Sequence, residues 1–297
     1  MFVYLLDHTI NMFLYLLNLL YGLYYKLYNI YYCRYSDNRF NCNIKLPIEN
    51  KYDNNEIKIL SYNIDGLFIH YNYDNYKKIS NFIRDKLVHD EVNIICLQEV
   101  WDIHILDLIK NNLKDFNLYY ASPPVDMKFI VGEHSGLLII SKFPIVYTNF
   151  NLLKNSKLTC FMTNKGLFHV KIKVGGDQII NIVNTHLQNS TVFYCFNYKN
   201  IANNQLFDIL NYCEYNNLTD VVIVGDLNLN TRLIDKVLNN NQYVTVPYNE
   251  KTNPIITCPS SEEQLDYFLF YKQTNEYKFF NVFKTDYSDH YPIIINI

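Results

Sequence analysis

From residue 57 onward the chain alternates between short apolar runs and stretches where apolar residues recur every three or four positions. The run at 57–62 ends at Asn63, and over 74–88 Ile79, Phe82, Ile83 and Leu87 recur at helical spacing. A second run, 93–97, leads to Glu99, after which Asp102 is placed to cap a helix carrying Leu106, Ile109 and Leu113. Strands are predicted at 136–140, 146–150 and 158–162, and 166–174 with 178–185 form a hairpin turning at Gly175, Gly176 and Asp177. A helix at 201–215, a buried strand at 221–224 and a short helix at 231–238 follow, and strands at 265–271, 277–283 and 291–297 close the chain. Strands thus come in runs as well as in alternation with helices. Two mixed sheets packed face to face, with helices outside, accommodate that order better than one parallel sheet does. No internal repeat is visible.

The first 45 residues follow another pattern. Between residues 10 and 25 only Asn11 and Asn18 are strongly polar, and Lys26, Arg34 and Arg39 follow. The stretch is marginally short for a spanning helix, so 1–45 is a candidate membrane anchor that either lies in the interface or spans. Spanning would leave the basic residues, and the domain after them, on the cytoplasmic side. A cleaved signal peptide fits poorly, because no basic residue precedes the apolar run and no small-x-small site follows it. Residues 46–56, Asn-rich with Pro47, read as a linker. That leaves 57–297 as one domain large enough for a sizeable core.

Composition narrows the function classes. The formal charge is −3 with pI ≈ 6.2 and no Lys/Arg stripe, which disfavours a dedicated nucleic-acid binder, since phosphate neutralisation dominates such affinity. The chain has 28 Tyr and 19 Phe against two alanines, Ala121 and Ala202, so a single aromatic residue says little about function. The aromatic run 192–198 is accordingly expected as core packing first and as a lipid-contacting surface second. Seven scattered cysteines without C-x-x-C spacing argue for neither a disulfide framework nor a zinc site, and for a reducing compartment.

The candidate chemistry sits where apolar runs end: Asn63, Glu99, His186, Asp226 with Asn228, and Asp289 with His290. Each alone is ordinary, because Asn, Asp and His are common at strand ends and turns. Gathered at one sheet edge they supply a carboxylate for a divalent cation, two imidazoles and amides for phosphate oxygens, the equipment for metal-assisted phosphoester cleavage. Glu99 is the expected hard-oxygen ligand, with Asn63 completing the shell or holding a ligand in place, and Asp289 assisting that metal or a second cation. His290 is the expected general base, since an imidazole near neutral pKa can take a proton from water. Asp226 and Asn228 alternate with Leu227, and would face one side if strand geometry persists, one orienting water and the other contacting phosphate. His186 would donate to a non-bridging phosphate oxygen as charge builds. Lys165-Gly166 is a commonplace strand opening rather than a phosphate-cradling loop, and His8, His70, His89, His104, His134 and His169 are expected to be structural or solvated.

Seven motifs in order, Ser61-Tyr62-Asn63, Leu97-Gln98-Glu99, Ser135-Gly136 with Ser141-Lys142-Phe143-Pro144, Asn184-Thr185-His186-Leu187-Gln188, Gly225-Asp226-Leu227-Asn228, Leu265-Asp266-Tyr267 and Ser288-Asp289-His290-Tyr291-Pro292, resemble those of the endonuclease/exonuclease/phosphatase superfamily across residues 57–297. Within it the chain most resembles neutral sphingomyelinases. The resemblance implies a four-layer α/β sandwich of the DNase I-like type, a Mg²⁺ cofactor with Mn²⁺ as a substitute, and Asp266 as the carboxylate that fixes the His290 tautomer. It implies phospholipase C-type cleavage of sphingomyelin or a related choline phospholipid, with a membrane surface as partner and nucleic acid ranked below it. The rivals are a nuclease of the same superfamily (an abasic-site endonuclease or a deadenylase), an inositol-phosphate phosphatase, for which an arginine near Asp266 is missing, and a catalytically silent membrane adaptor.

Overall fold

Two neighbouring apolar runs set the phase of the whole structure. The computed structural model describes residues 56–66, 72–123, 135–154, 156, 163–189, 199–238, 244–245, 255–272 and 279–297. The expected anchor at 1–45, the linker apart from Glu56, the strand at 158–162 and the aromatic run at 192–198 lie outside the described residues. Strand β1 (Lys58–Asn63) runs parallel to β2 (Ile94–Gln98), with Ile59 opposite Ile94 and Asn63 opposite Gln98. Side chains alternate faces along a strand. Ile59, Ile94 and Cys96 therefore enter a core shared with the second sheet, while Leu60, Tyr62, Ile95 and Leu97 pack under the helices.

The connection between them is α1 (Tyr73–Val88), which starts at Asn72, whose side chain accepts from the amides of Asp74 and Asn75. After β2 comes α2 (Ile103–Asn112), capped by Asp102 through the His104 amide. Strands β3 (Tyr119–Ala121) and β4 (Leu138–Ser141) extend this first sheet, and β11 (Phe279–Val282) with β12 (Ile293–Asn296) complete it in the order β11-β12-β1-β2-β4-β3.

The second sheet repeats the logic. It comprises β5 (Ile145–Leu152), β6 (Gly166–Gly175), β7 (Gln178–His186), β8 (Val221–Asp226), β9 (Val244–Thr245) and β10 (Asp266–Tyr271), in the order β5-β6-β7-β8-β10-β9. Its only parallel pair among the described strands, β7 with β8, is again joined through a helix, α3 (Lys199–Tyr215), and α4 (Thr231–Leu238) follows β8. Ile180, Ile182, Val222, Val224, Phe268 and Phe270 face the first sheet, and Val183, Val221, Ile223 and Leu269 face α3 and α4. The result is helix, sheet, sheet, helix, as the order of strands and helices predicts. The short strands β3 and β9 had no sequence signal.

His169, expected to be structural, is so: it is buried, with its ring nitrogens 3.0 Å from Tyr212 Oη and 3.0 Å from Asn181 Oδ1. Among the described residues no helix is long and apolar enough to cross a membrane.

Candidate active site

Continuing the inward-facing positions to the strand ends reaches polar residues on both sheets. Asn63 follows Ile59 and Ser61 on β1, His186 follows Ile182 and Asn184 on β7, Asp226 follows Val222 and Val224 on β8, and Asp266 precedes Phe268 and Phe270 on β10. All four are buried at one end of the inter-sheet core. Asn63 Nδ2 bridges the sheets, donating to Glu99 Oε1 at 3.1 Å and to Asp226 Oδ2 at 3.1 Å. His186 Nε2 lies 3.4 Å from Asp226 Oδ2 and 3.8 Å from Glu99 Oε1.

Glu99 itself is out of phase with the inward register, and the backbone corrects this. It sits in the left-handed region (φ 58°), which turns its carboxylate back toward Asn63. Gly66 makes the turn feasible: its amide donates to the Glu99 carbonyl at 3.0 Å, and a Cβ at Gly66 would stand 2.3 Å from that oxygen.

His290 enters from the loop before β12. Its Nδ1 is 2.7 Å from Asp266 Oδ2 across the sheet interface, and its Nε2 is 3.7 Å from Asp226 Oδ2. Ser288 fixes this loop, donating to the Asn63 carbonyl at 2.8 Å and accepting from the His290 amide. Burial works against a charge on His290, but the Asp266 and Asp226 carboxylates outweigh it and hold the imidazole well above its ordinary value. His186 is shifted the other way: burial, then the Lys165 cation and His290, hold it well below. Burial pushes the Asp226 carboxyl up to about 7, with Asp266 adding to the rise and His290 and Lys165 opposing it.

Two expectations need revision. Strand geometry does not persist from Asp226 to Asn228: β8 ends at Asp226 and Asn228 is left-handed (φ 51°). The pair is joined instead by a turn, in which the Asn228 amide donates to Asp226 Oδ1 at 2.9 Å and Asn228 Nδ2 donates to the Leu187 carbonyl at 3.2 Å. Asp289 is exposed, hydrogen-bonded by Ser288, and is not one of the two acid–imidazole groupings, Glu99 with His186 and Asp226, and Asp226 with Asp266 and His290.

One further residue bears on the electrostatics of the site. Lys165 is 4% exposed and near enough to shift both His186 and Asp226. A buried cation needs an anionic neighbour, and the Asp226 carboxylate is near enough to feel its charge. Its sequence signal is the Lys165-Gly166 pair at the opening of a strand that pairs with the strand bearing His186.

This geometry has relatives. A family model described as the Endonuclease/Exonuclease/phosphatase family matches residues 60–290. The chain belongs to that family. A sphingomyelinase of Dictyostelium discoideum is 27% identical over 197 residues, covering 56% of this chain but 42% of that protein, so the chain spans well under half of it. A phospholipase C of Staphylococcus aureus is 23% identical over 294 residues, covering 82% of this chain and 88% of the relative. Among solved structures, a Staphylococcus aureus beta toxin variant with bound magnesium ions superposes with a TM-score of 0.61 at 20% identity, covering 81% of this chain and 99% of that one. TDP2 of D. rerio, complexed with a single-strand DNA product, superposes with a TM-score of 0.62 at 16% identity, covering 82% and 99%. At these identities the superpositions establish the fold, two mixed sheets between helices, and leave substrate open.

Proposed function

We propose that the protein is a divalent-cation-dependent phosphodiesterase that cleaves sphingomyelin or a related choline phospholipid at a membrane, giving the lipid alcohol and a phosphorylated headgroup. The observation that carries this reading is the meeting of two sheets at one point: Asn63 hydrogen-bonded to both Glu99 and Asp226, and His186 3.4 Å from Asp226, beside the His290–Asp266 pair. The donor set fits a hard divalent cation. Glu99 and Asp226 offer carboxylates, which Asn63 steadies through its amide nitrogen while its oxygen accepts from the Asp65 amide, and the ligand atoms of Glu99, His186 and Asp226 lie within 4.8 Å of one another. Glu99, held in place by Asn63, would hold the ion, and Mg²⁺ there would supply charge neutralisation for a phosphate oxygen, with Mn²⁺ as a substitute in the same site.

In this reading Asp266 accepts the Nδ1 proton of His290, so Nε2 faces the cleft as the base that takes a proton from water. Asp226 and Asn228, locked by their turn, orient that water and the phosphate. His186 and Lys165 stabilise the oxygens on which charge grows. Lipid specificity is supported by the names of the relatives and by a net charge of −3 without a basic stripe. The expected anchor at 1–45 would keep the enzyme at a membrane, with its domain on the cytoplasmic side.

A nuclease is the competing reading, favoured by the equally good superposition of a DNA-bound TDP2. A substrate panel decides between them. The purified full chain is given sphingomyelin dispersions, lysophospholipids, abasic DNA, poly(A) and inositol phosphates with Mg²⁺, with Glu99→Gln as the control for host contaminants. Lipid cleavage exceeding nucleic-acid cleavage supports the proposal; robust nuclease activity without lipid cleavage overturns it.

A further inference from the structure

The inner faces of the two sheets meet through Ile59, Ile94, Ile182, Val224, Phe268 and their neighbours. Apolar contact is non-directional, so it fixes how close the sheets lie better than how they are registered. The site depends on register, because Asn63 and Glu99 come from one sheet and His186, Asp226 and Asp266 from the other.

Directly beneath it the apolar core is interrupted. Gln98, the last residue of β2, and Asn184 of β7 both have 0% exposure. Gln98 Nε2 donates across the interface to Asn184 Oδ1 at 2.8 Å, and Asn184 Nδ2 donates back to the Leu97 carbonyl at 3.0 Å, with the Leu138 carbonyl at 3.4 Å. Ser61 Oγ lies 3.2 Å from Gln98 Nε2. Gly225 leaves room for the crossing: a Cβ there would stand 3.3 Å from Gln98 Nε2 and 1.9 Å from the Thr185 carbonyl. Gln98 precedes Glu99 in the chain, and Asn184 shares a face of β7 with His186.

Two buried amides that satisfy each other add little net stability over a well-packed apolar pair. What they add is direction. We infer that Gln98 and Asn184 are positioning residues, a two-amide lock that sets the register of the sheets and thereby the spacing of Glu99 and Asn63 against His186 and Asp226. The inference rests on the cation-dependent reading of the site given above.

The test compares the full chain as wild type, Gln98→Met, Asn184→Leu and the double variant. Melting temperature, Mn²⁺ binding by calorimetry, and kcat and KM on bis-p-nitrophenyl phosphate with Mg²⁺ are measured well below each melting transition. The lock predicts that Mn²⁺ affinity and kcat fall about 10- to 100-fold, the range typical of groups that orient metal ligands, with little change in KM. It also predicts that either single variant loses nearly as much as the double, since breaking one partner opens the lock. A folded double variant with wild-type Mn²⁺ affinity and kcat overturns the inference, as do single losses that simply add. If these variants fail to fold, Ser61→Ala removes one partner of the Gln98 amide; about a threefold loss of Mn²⁺ affinity is expected, and none overturns the lock. A wild-type chain that binds no Mn²⁺ overturns the phosphodiesterase reading instead, which keeps the two failures apart.

Discussion

The two histidines of the site are a natural experiment on environment. Both are buried, and both lie within 3.7 Å of the same Asp226 oxygen. Yet His290 is held well above the ordinary imidazole value and His186 well below it. The difference lies in the second nitrogen. His290 Nδ1 has Asp266 at 2.7 Å, whereas His186 Nδ1 is buried with no hydrogen-bond partner among the described residues and Lys165 is close by. A carboxylate behind the ring makes a proton acceptor with a fixed tautomer; a cation and dry surroundings keep the ring neutral, suited to donating one hydrogen bond rather than cycling a proton.

The most severe way to break the comparison is to remove the charge on the His186 side. Glu99→Gln keeps the shape and loses the charge, and should lower Mg²⁺-dependent turnover by about 10³-fold or more, corresponding to the several kcal/mol a bound metal contributes. The His290–Asp266 pair should survive, seen as an unchanged His290 imidazole resonance by NMR in the cation-free protein. Turnover near the wild-type rate, or full wild-type activity in excess chelator, would sink the mechanism.

Removing each ring in turn comes next. His290→Ala should cost about 10²- to 10⁴-fold in kcat and abolish the acidic limb of the pH profile. His186→Ala should cost about 10²- to 10³-fold and leave that limb in place. An acidic limb that survives in the first variant and vanishes in the second would mean the roles are exchanged.

A subtler change sharpens the comparison. Asp266→Asn removes the largest influence that raises His290. Because the base works when neutral, a raised value places the acidic limb at high pH, and this substitution should move the limb to lower pH while reducing kcat less than His290→Ala does. A limb that stays put or moves to higher pH would show that Asp266 does not govern the base.

Much of this was legible because the period of two is continuous. Once Ile59 and Ile94 are inward, Asn63 must be inward too, and the same count carries β7 to His186 and β8 to Asp226. Legibility stopped where the backbone leaves the strand. Glu99 reaches the site through a left-handed residue and a glycine six Cα positions past Leu60, and Asn228 through a side-chain-stabilised turn, neither of which a periodicity can announce. Lys165 is marked by its burial close to His186 and Asp226, a three-dimensional property that its place before a strand does not announce. Strands β3 and β9 are too short to carry a pattern.

The smallest expected effect tests the shared carboxylate between the two rings. The folded pKa of Asp226, about 7, is above its ordinary 3.8. Its contribution to stability is therefore present below about 3.8 and is lost as pH rises toward about 7, since the unfolded chain gives up the proton first. His290, also raised, acts in the same direction: its contribution is present below 6.5 and lost as pH rises through its folded value. His186 is depressed, so its contribution is present above 6.5 and lost as pH falls through its folded value. On the alkaline side the cation-free site thus carries unrelieved negative charge at Asp226, which a divalent cation relieves. At pH 8 the carboxylate is free to respond; at pH 6 a proton competes for it. Mg²⁺ at 100 times its Kd stabilises the fold by about 2.7 kcal/mol, a rise in melting temperature of about 5–10 °C for a domain of this size. At a fixed Mg²⁺ concentration the rise should be larger at pH 8 than at pH 6, and Glu99→Gln should reduce it at both. Calorimetric titration at pH 6.5 in buffers of different ionisation enthalpy should detect protons released on binding, and fewer at pH 8.5. Equal melting shifts at the two pH values, with no proton release, would show that the proton on Asp226 and the cation do not compete.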